Sequence, residues 1–176
     1  MMRWPQRGHT IQRRSGSDGF TLVELMIAIA FLVVALAGLL SAFLSLSALN
    51  EYSRNVTWAT NDATRVLEQM RQQNTGGSCF TPSAAAPSGS ATWDAWLTNV
   101  AGGKSIQPNP STEELATVTS SGTDPLTVSV MVCWRQRSRV VGECTWSGSA
   151  LSTSDLDGDG TLESPVMLTT IMTCRR

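Results

Sequence analysis

The pattern of apolar and polar positions divides the chain at Phe20. Before it lies a polar, Arg-bearing stretch; after it comes the run FTLVELMIAIAFLVVALAGLL, and Glu24 is the only charged residue between Phe20 and Leu49. From Phe20 to Gln73 there is no Pro, and Gly38 is the one Gly. That predicts one helix of 54 residues, about 80 Å long at 1.5 Å per residue. Its first 21 residues, to Leu40, extend about 30 Å, enough to cross a bilayer core. Beyond the apolar run, Leu49, Tyr52, Val56, Ala59, Ala63, Val66 and Met70 recur at spacings of three and four. This is an amphipathic stripe that should pack on a domain. Glu51, Arg54, Asp62, Arg65, Glu68 and Arg71 are expected off the stripe, and Asn74, Gly76 and Gly77 supply a helix stop.

Downstream the period changes. Residues 78–92 carry no charge and read as loop. Trp93, Trp96, Leu97 and Val100 have one-turn spacing and predict a short helix, capped by Thr92 or Ser90 and ended by Gly102 and Gly103. A Pro/Ser/Thr-rich segment to about Pro125 reads as a second loop. Leu126, Val128, Val130, Val132 and Trp134 then alternate with Thr127, Ser129, Met131, Cys133 and Arg135, which is the strongest strand signal in the chain. A return strand is expected over Val140 to Trp146 and a last one over Val166 to Cys174. The fold class is therefore α+β: a long N-terminal helix, membrane half plus amphipathic half, packed on a small antiparallel sheet.

Charge and cysteine usage orient this plan. Residues 1–19 hold four Arg and one Asp, which places them in the cytoplasm by the positive-inside rule and sends everything after Leu49 across the membrane. Without those residues, nine Lys or Arg face thirteen Asp or Glu, a net charge of −4. Such a balance does not suit bulk electrostatic binding of nucleic acid. Cys79, Cys133, Cys144 and Cys174 all follow the apolar run, in the oxidising compartment, and imply two disulfides out of three possible connectivities. Cys133 and Cys144 flank the expected hairpin, so their pairing is favoured, leaving Cys79 with Cys174. Reduced thiols are the alternative. A zinc site lacks both a close Cys pair and any His after His9.

Gly19, Phe20 and Glu24 at this spacing, directly before an unbroken apolar helix, resemble the class III leader of type IV pilins and pseudopilins. In that family a membrane-embedded prepilin peptidase cleaves after the Gly and methylates the new N-terminal Phe. The hydrophobic segment is retained. Further along, the run EQMRQQN, the Trp-bearing short helix closing in Ala-Gly-Gly and the strand leading to Cys-Trp-Arg are similar to PilV-type minor pilins. They are also similar to I-class minor pseudopilins of type II secretion. The resemblance implies a pilin-like lollipop: residues 1–19 a cleaved cytoplasmic leader, 20–49 the transmembrane and assembly half of the helix, 50–73 its amphipathic half, and 74–176 a periplasmic or extracellular globular domain. It also implies cleavage between Gly19 and Phe20, N-methylation of Phe20, and a Glu24 carboxylate that meets the terminus of a neighbouring subunit. Prepilin peptidase, other pilin subunits, the inner-membrane assembly platform and, before assembly, membrane lipid are the implied partners. The implied location is the inner membrane, then a pilus at the cell surface or a periplasmic pseudopilus. The implied work is pilus assembly or initiation, with adhesion or motility. An ordinary secretory signal, with Ser45-Leu46-Ser47 imitating a cleavage site, and a plain single-pass anchor are the competing readings.

Two further groups carry candidate chemistry. In DLDGDGTLE, Asp155, Asp157 and Asp159 occupy positions 1, 3 and 5 of an EF-hand-like loop. Gly160 stands at 6, Thr161 at 7 and Glu163 at 9, while Val166 replaces the usual Glu at 12. Calcium is the candidate cofactor and a solvated acidic turn the alternative. Arg135, Arg137 and Arg139 alternate at the end of the best strand, so they could line one sheet edge and grip DNA, a surface or an acidic subunit, as a tip pilin would; a charged edge that resists strand pairing is the blander account. Trp58, Trp93, Trp96, Trp134 and Trp146 read as core more readily than as a ligand surface. Enzymatic activity is not expected, because the single histidine, His9, falls in the leader and leaves no His-based catalytic set.

Overall fold

A computed structural model describes residues 20–76, 79–106 and 111–174. Gly19 lies outside them, as does Gly77 of the expected helix stop. The chain forms two compact units, residues 1–46 and 47–176. The described part of the first unit is the apolar half of a helix, α1 (Leu22–Gln73), whose 52 residues run without a break. Thr21 starts it: its Oγ1 accepts the amide of Glu24 at 3.2 Å, an N-cap bond that satisfies one of the open amides of the first turn. Ser45, Thr57, Thr60 and Thr64 donate their hydroxyls to the carbonyl one turn back, which lets these residues sit within the helix without an unpaired hydroxyl. Large apolar side chains from Phe20 to Leu49 are exposed. This is the one described helix long and apolar enough to cross a membrane, and it is compatible with a single-pass anchor.

The second unit places the remainder of α1 against an antiparallel sheet. After α1 come α2 (Trp93–Asn99), a 3₁₀ turn (Ser111–Glu113) and six strands: β1 (Glu114–Ser121), β2 (Leu126–Gln136), β3 (Arg139–Val141), β4 (Cys144–Trp146), β5 (Leu151–Thr153) and β6 (Val166–Met172). β2 is central, pairing with β1 on one side and with β6 and β3 on the other. β4 and β5 form a separate two-stranded ribbon. Ala59, Ala63, Val66 and Met70 of α1 pack with Trp93, Trp96 and Leu97 of α2 and with Val128, Val130, Val132 and Trp134 of β2. The small alanines let the helix approach the sheet closely, which suits a thin core in a unit of this size. A second cluster under the ribbon joins Met131, Cys133, Cys144 and Leu151. Both disulfides are present as Cys79–Cys174 and Cys133–Cys144.

Several expectations need correction. The segment before Pro125 is not all loop, since β1 occupies Glu114–Ser121, with Glu114 and Ala116 buried; its Thr and Ser content hid the strand. The single return strand is split by Gly142, which has φ +92° and lies so close to Cys133 and Ser164 that an added Cβ would stand 2.9 Å from each. β3 therefore stays with β2 while β4 turns off to pair with β5. The buried face of α1 begins at Asn55, with Leu49 64% and Tyr52 37% exposed. Asp62, expected off the stripe, is fully buried, and Val100 is exposed. Thr92, not Ser90, caps α2, accepting the amide of Ala95.

Candidate functional site

The N-terminal candidates stand on the apolar unit. Phe20 is exposed ahead of the first turn, and Glu24 occupies the third helical position, where a carboxylate is favoured by the helix dipole. Thr21 and Glu24 thus stand in a T-x-x-E arrangement, so Glu24 also has a local reason to be near the helix start.

The acidic loop is held in a defined shape by its own carboxylates. Asp155 accepts the amides of Gly158 at 2.7 Å and Gly160 at 2.8 Å. Asp157 accepts the amide of Asp159, and Asp159 accepts both the amide and the hydroxyl of Thr161. Glu143, from the turn between β3 and β4, was not singled out from the sequence. Its carboxylate takes the amides of Leu156 at 3.2 Å and Glu163 at 2.7 Å, and its backbone bonds to Ser154 and Glu163. One side chain therefore closes both ends of the loop. Carboxylate oxygens of Glu143, Asp155 and Asp157 lie within 4.8 Å of one another; the carboxylates of Asp159 and Glu163 are not part of that convergence. The Gly160 and Gly158 amides hold the Asp155 carboxyl below the usual carboxylate range. For Asp157 the Asp159 amide acts downward, but desolvation and the neighbouring Asp159, Asp155 and Glu143 outweigh it, and the net shift is upward. No local sequence pattern ties Glu143 to residues twelve or more positions later, which is why only the structure finds it.

The three arginines do not line one strand face. Arg135 is the next-to-last residue of β2, pairs with Glu113 at 2.7 Å and stacks over the Trp146 ring. Arg137 lies in the two-residue turn between β2 and β3, with φ 57°, and pairs with Glu51 of α1 at 3.1 Å. Arg139 begins β3 and is exposed. Of the tryptophans, Trp93, Trp96 and Trp134 are core, while Trp58 lies under Arg54 on the outer side of α1.

A buried ionic network was also missed. Asp62 accepts the Arg65 guanidinium at 2.7 Å, the Ser105 hydroxyl at 2.7 Å and the Ser105 amide at 2.6 Å. Arg65 reaches on to the carbonyls of Ala101 and Gly103. Lys104 bonds the Glu114 carbonyl and pairs with Asp94 at 2.7 Å, and Asp94 in turn accepts the Ala116 amide. Glu114, only 2% exposed, is pushed up to about 8, first by burial and then by the charge and hydrogen bond of Asp62, against the pull of the Ile106 amide and Lys104. The network ties α1, α2 and β1 together through the Gly102-Gly103 turn. A sequence signal for Asp62 did exist, because it stands three residues after Ala59 and four before Val66, both on the buried face.

Comparison with protein-family models, curated proteins and solved structures finds no match to this chain.

Proposed function

We propose that this chain is a minor type IV pilin, a non-enzymatic subunit that takes part in assembly or initiation of a pilus and in its adhesion or motility. The observation that carries this reading is the spacing of Gly19, Phe20 and Glu24 at the start of a helix of 52 residues, of which Glu24 is the third. The helix is apolar where it would cross a membrane and amphipathic where it packs on the disulfide-bonded unit. Prepilin peptidase would cut between Gly19 and Phe20 and methylate the freed amine. The charged terminus of one subunit would then meet Glu24 of its neighbour. A carboxylate at mid-bilayer costs about 2.5 to 3.5 kcal/mol on insertion scales, and an opposite charge at 4 Å returns about 4 kcal/mol at an effective dielectric of 20. Pairing thus offsets the cost that an isolated Glu24 would carry, and it makes the apolar helix the polymerising element.

The same reading places the 47–176 unit outside the inner membrane, where its two disulfides are stable. There the loop of Asp155, Asp157 and Asp159, with Glu143 beside it, would take one calcium ion. A minor pseudopilin of type II secretion would share all these features. The DNA-binding tip-pilin alternative draws less support, because Arg135 and Arg137 are already engaged by Glu113 and Glu51.

The test is filament entry in a piliated host. Wild-type chain should appear in sheared filaments, and Gly19→Val should accumulate uncleaved in the inner membrane and be absent from them. Entry of the Gly19→Val chain at the wild-type level would overturn the proposal.

A further inference from the structure

The turn between β2 and β3 is held against α1 at one level of the helix. Gln136 Nε2 donates to the Ala48 carbonyl at 3.3 Å, and Arg137 pairs with Glu51 at 3.1 Å. Both contacts fall where the apolar run gives out, since Leu49 ends the run and Glu51 is the first charged residue after Glu24. α1 has no break, so that level can be measured in helical rise. Before a partner pairs with it, Glu24 is least costly at the inner boundary of the hydrocarbon core. A core of about 30 Å that begins there takes about 20 residues and ends near Leu44. Ala48 is four residues further on, about 6 Å along the axis, and Glu51 lies about 10 Å beyond Leu44. A headgroup layer is about 5 to 7 Å deep on each side, so the turn is tied to the helix at headgroup level.

The chemistry of the turn suits that level. Arg137, Ser138 and Arg139 are consecutive and all exposed. Glu51 Oε2 takes both Nε and Nη2 of Arg137, whose side chain is still 60% exposed. Among the described residues the Arg139 side chain has no ion-pair partner. Two guanidiniums against one carboxylate leave the turn positive. Arg137 also stands at φ 57°, where a hairpin turn favours Gly or Asn and a long side chain adds a steric cost. An Arg at that position points to a use for its side chain. Tyr52, the one Tyr of the chain, is 37% exposed on the adjoining turn of α1, and Tyr is among the residues that membrane interfaces favour.

We propose that Arg137 and Arg139 bind the phosphates of anionic phospholipid headgroups, seating the β2–β3 turn on the membrane face from which α1 emerges. This rests on the reading that α1 crosses a membrane. Guanidinium suits phosphate because its planar fork donates to two oxygens at once. Attraction to an anionic leaflet dies away within a Debye length, so two arginines are effective only if they are held close to it. The tether is what selects lipid as the occupant. The helix that carries the turn brings phosphates within a few ångströms, at an effective concentration that a soluble anion does not reach.

All four cysteines are bonded, so Ser138→Cys supplies a single thiol for a fluorophore in the turn. Thr75→Cys, exposed just past the far end of α1, supplies the comparison. The full chain is reconstituted in vesicles of phosphatidylcholine, with or without phosphatidylglycerol, and quenching by a headgroup nitroxide lipid is measured. Quenching should be roughly twofold or more stronger at position 138 than at position 75, and it should rise at 138 when phosphatidylglycerol is added. Arg137→Gln with Arg139→Gln should remove that rise, whereas Arg71→Gln, an exposed arginine in the last turn of α1, should leave it intact. Alkaline carbonate separates the two ways of failing. A chain that stays in the membrane but is quenched equally at both positions, or whose rise survives the double substitution, overturns the proposal alone. A chain released by carbonate overturns the membrane reading as well. Arginine-dependent retention of duplex DNA by the detergent-solubilised chain, with no lipid-dependent rise, would assign the turn to nucleic acid and equally overturn the proposal.

Discussion

Glu114 starts β1 with its carboxyl shut away from water beside that of Asp62, and two adjacent buried negative charges are strongly unfavourable. Its folded pKa of about 8 lies above the ordinary carboxylate value, so the folded state binds the extra proton. Stability from this group is therefore complete below the unfolded pKa, and declines as pH rises until it is lost above about 8. The groups around it are Asp62 and Arg65 from α1, Asp94 from α2, and Lys104 and the Ile106 amide from the following segment. Within the window the slope is on the order of 1.4 kcal/mol per pH unit. Because the chain has one His, at position 9, few other groups titrate there. Melting temperature should fall between pH 5 and pH 8 for the native chain, and Glu114→Gln, which can donate an amide proton to Asp62, should flatten the profile; an unchanged slope in that variant would reject the assignment. Glu24→Ala makes a separate residue-level prediction. Insertion needs only the apolar run, so the variant should fractionate with the membrane as wild type does, while its recovery in sheared filaments should fall at least tenfold. Equal recovery would remove the charge-pair role.

At the scale of elements, legibility followed periodicity. α1, α2, β2 and β6 were readable because each buries one regular face, at spacing 3.6 or 2. β1 was not, because Thr117, Thr119, Ser120 and Ser121 have loop composition, and it is pairing with β2 that makes them strand. The end of β2 carried a second hidden message: Met131 and Cys133 are buried on the face expected to be polar, under the β4–β5 ribbon. The acidic loop was legible as a spacing of carboxylates and illegible as a site, since Glu143 arrives from another turn. That gives a loop-level prediction. An ion bound only by the folded state adds about 2.7 kcal/mol at a hundredfold excess over Kd. Millimolar calcium should therefore raise the melting temperature of the full chain in detergent, and it should not do so for Asp157→Ala. An identical melting temperature with calcium and with chelator would leave the segment as an acidic turn buckled by Glu143.

For the whole molecule, the two disulfides do unequal work. Cys79–Cys174 closes a separation of 95 residues and Cys133–Cys144 one of 11, and in the chain-entropy account these correspond to about 4.7 and 2.8 kcal/mol. The longer bridge joins the segment after α1 to the segment after β6, so it holds the first and last parts of the 47–176 unit together. Replacing Cys79 and Cys174 with Ala should cost about 3 to 5 kcal/mol, measured by denaturant unfolding; a loss under about 1 kcal/mol would show that the core alone fixes the unit. The central claim concerns the other end of the molecule, where the reading rests on Gly19, Phe20 and Glu24. It is tested most directly by intact-mass and N-terminal peptide mass spectrometry of the chain recovered from cells with an active prepilin peptidase. The account predicts a mature chain beginning at Phe20 with one methyl group on its amine. Recovery of the full-length chain, or of a terminus after Ser47 or elsewhere, would contradict it.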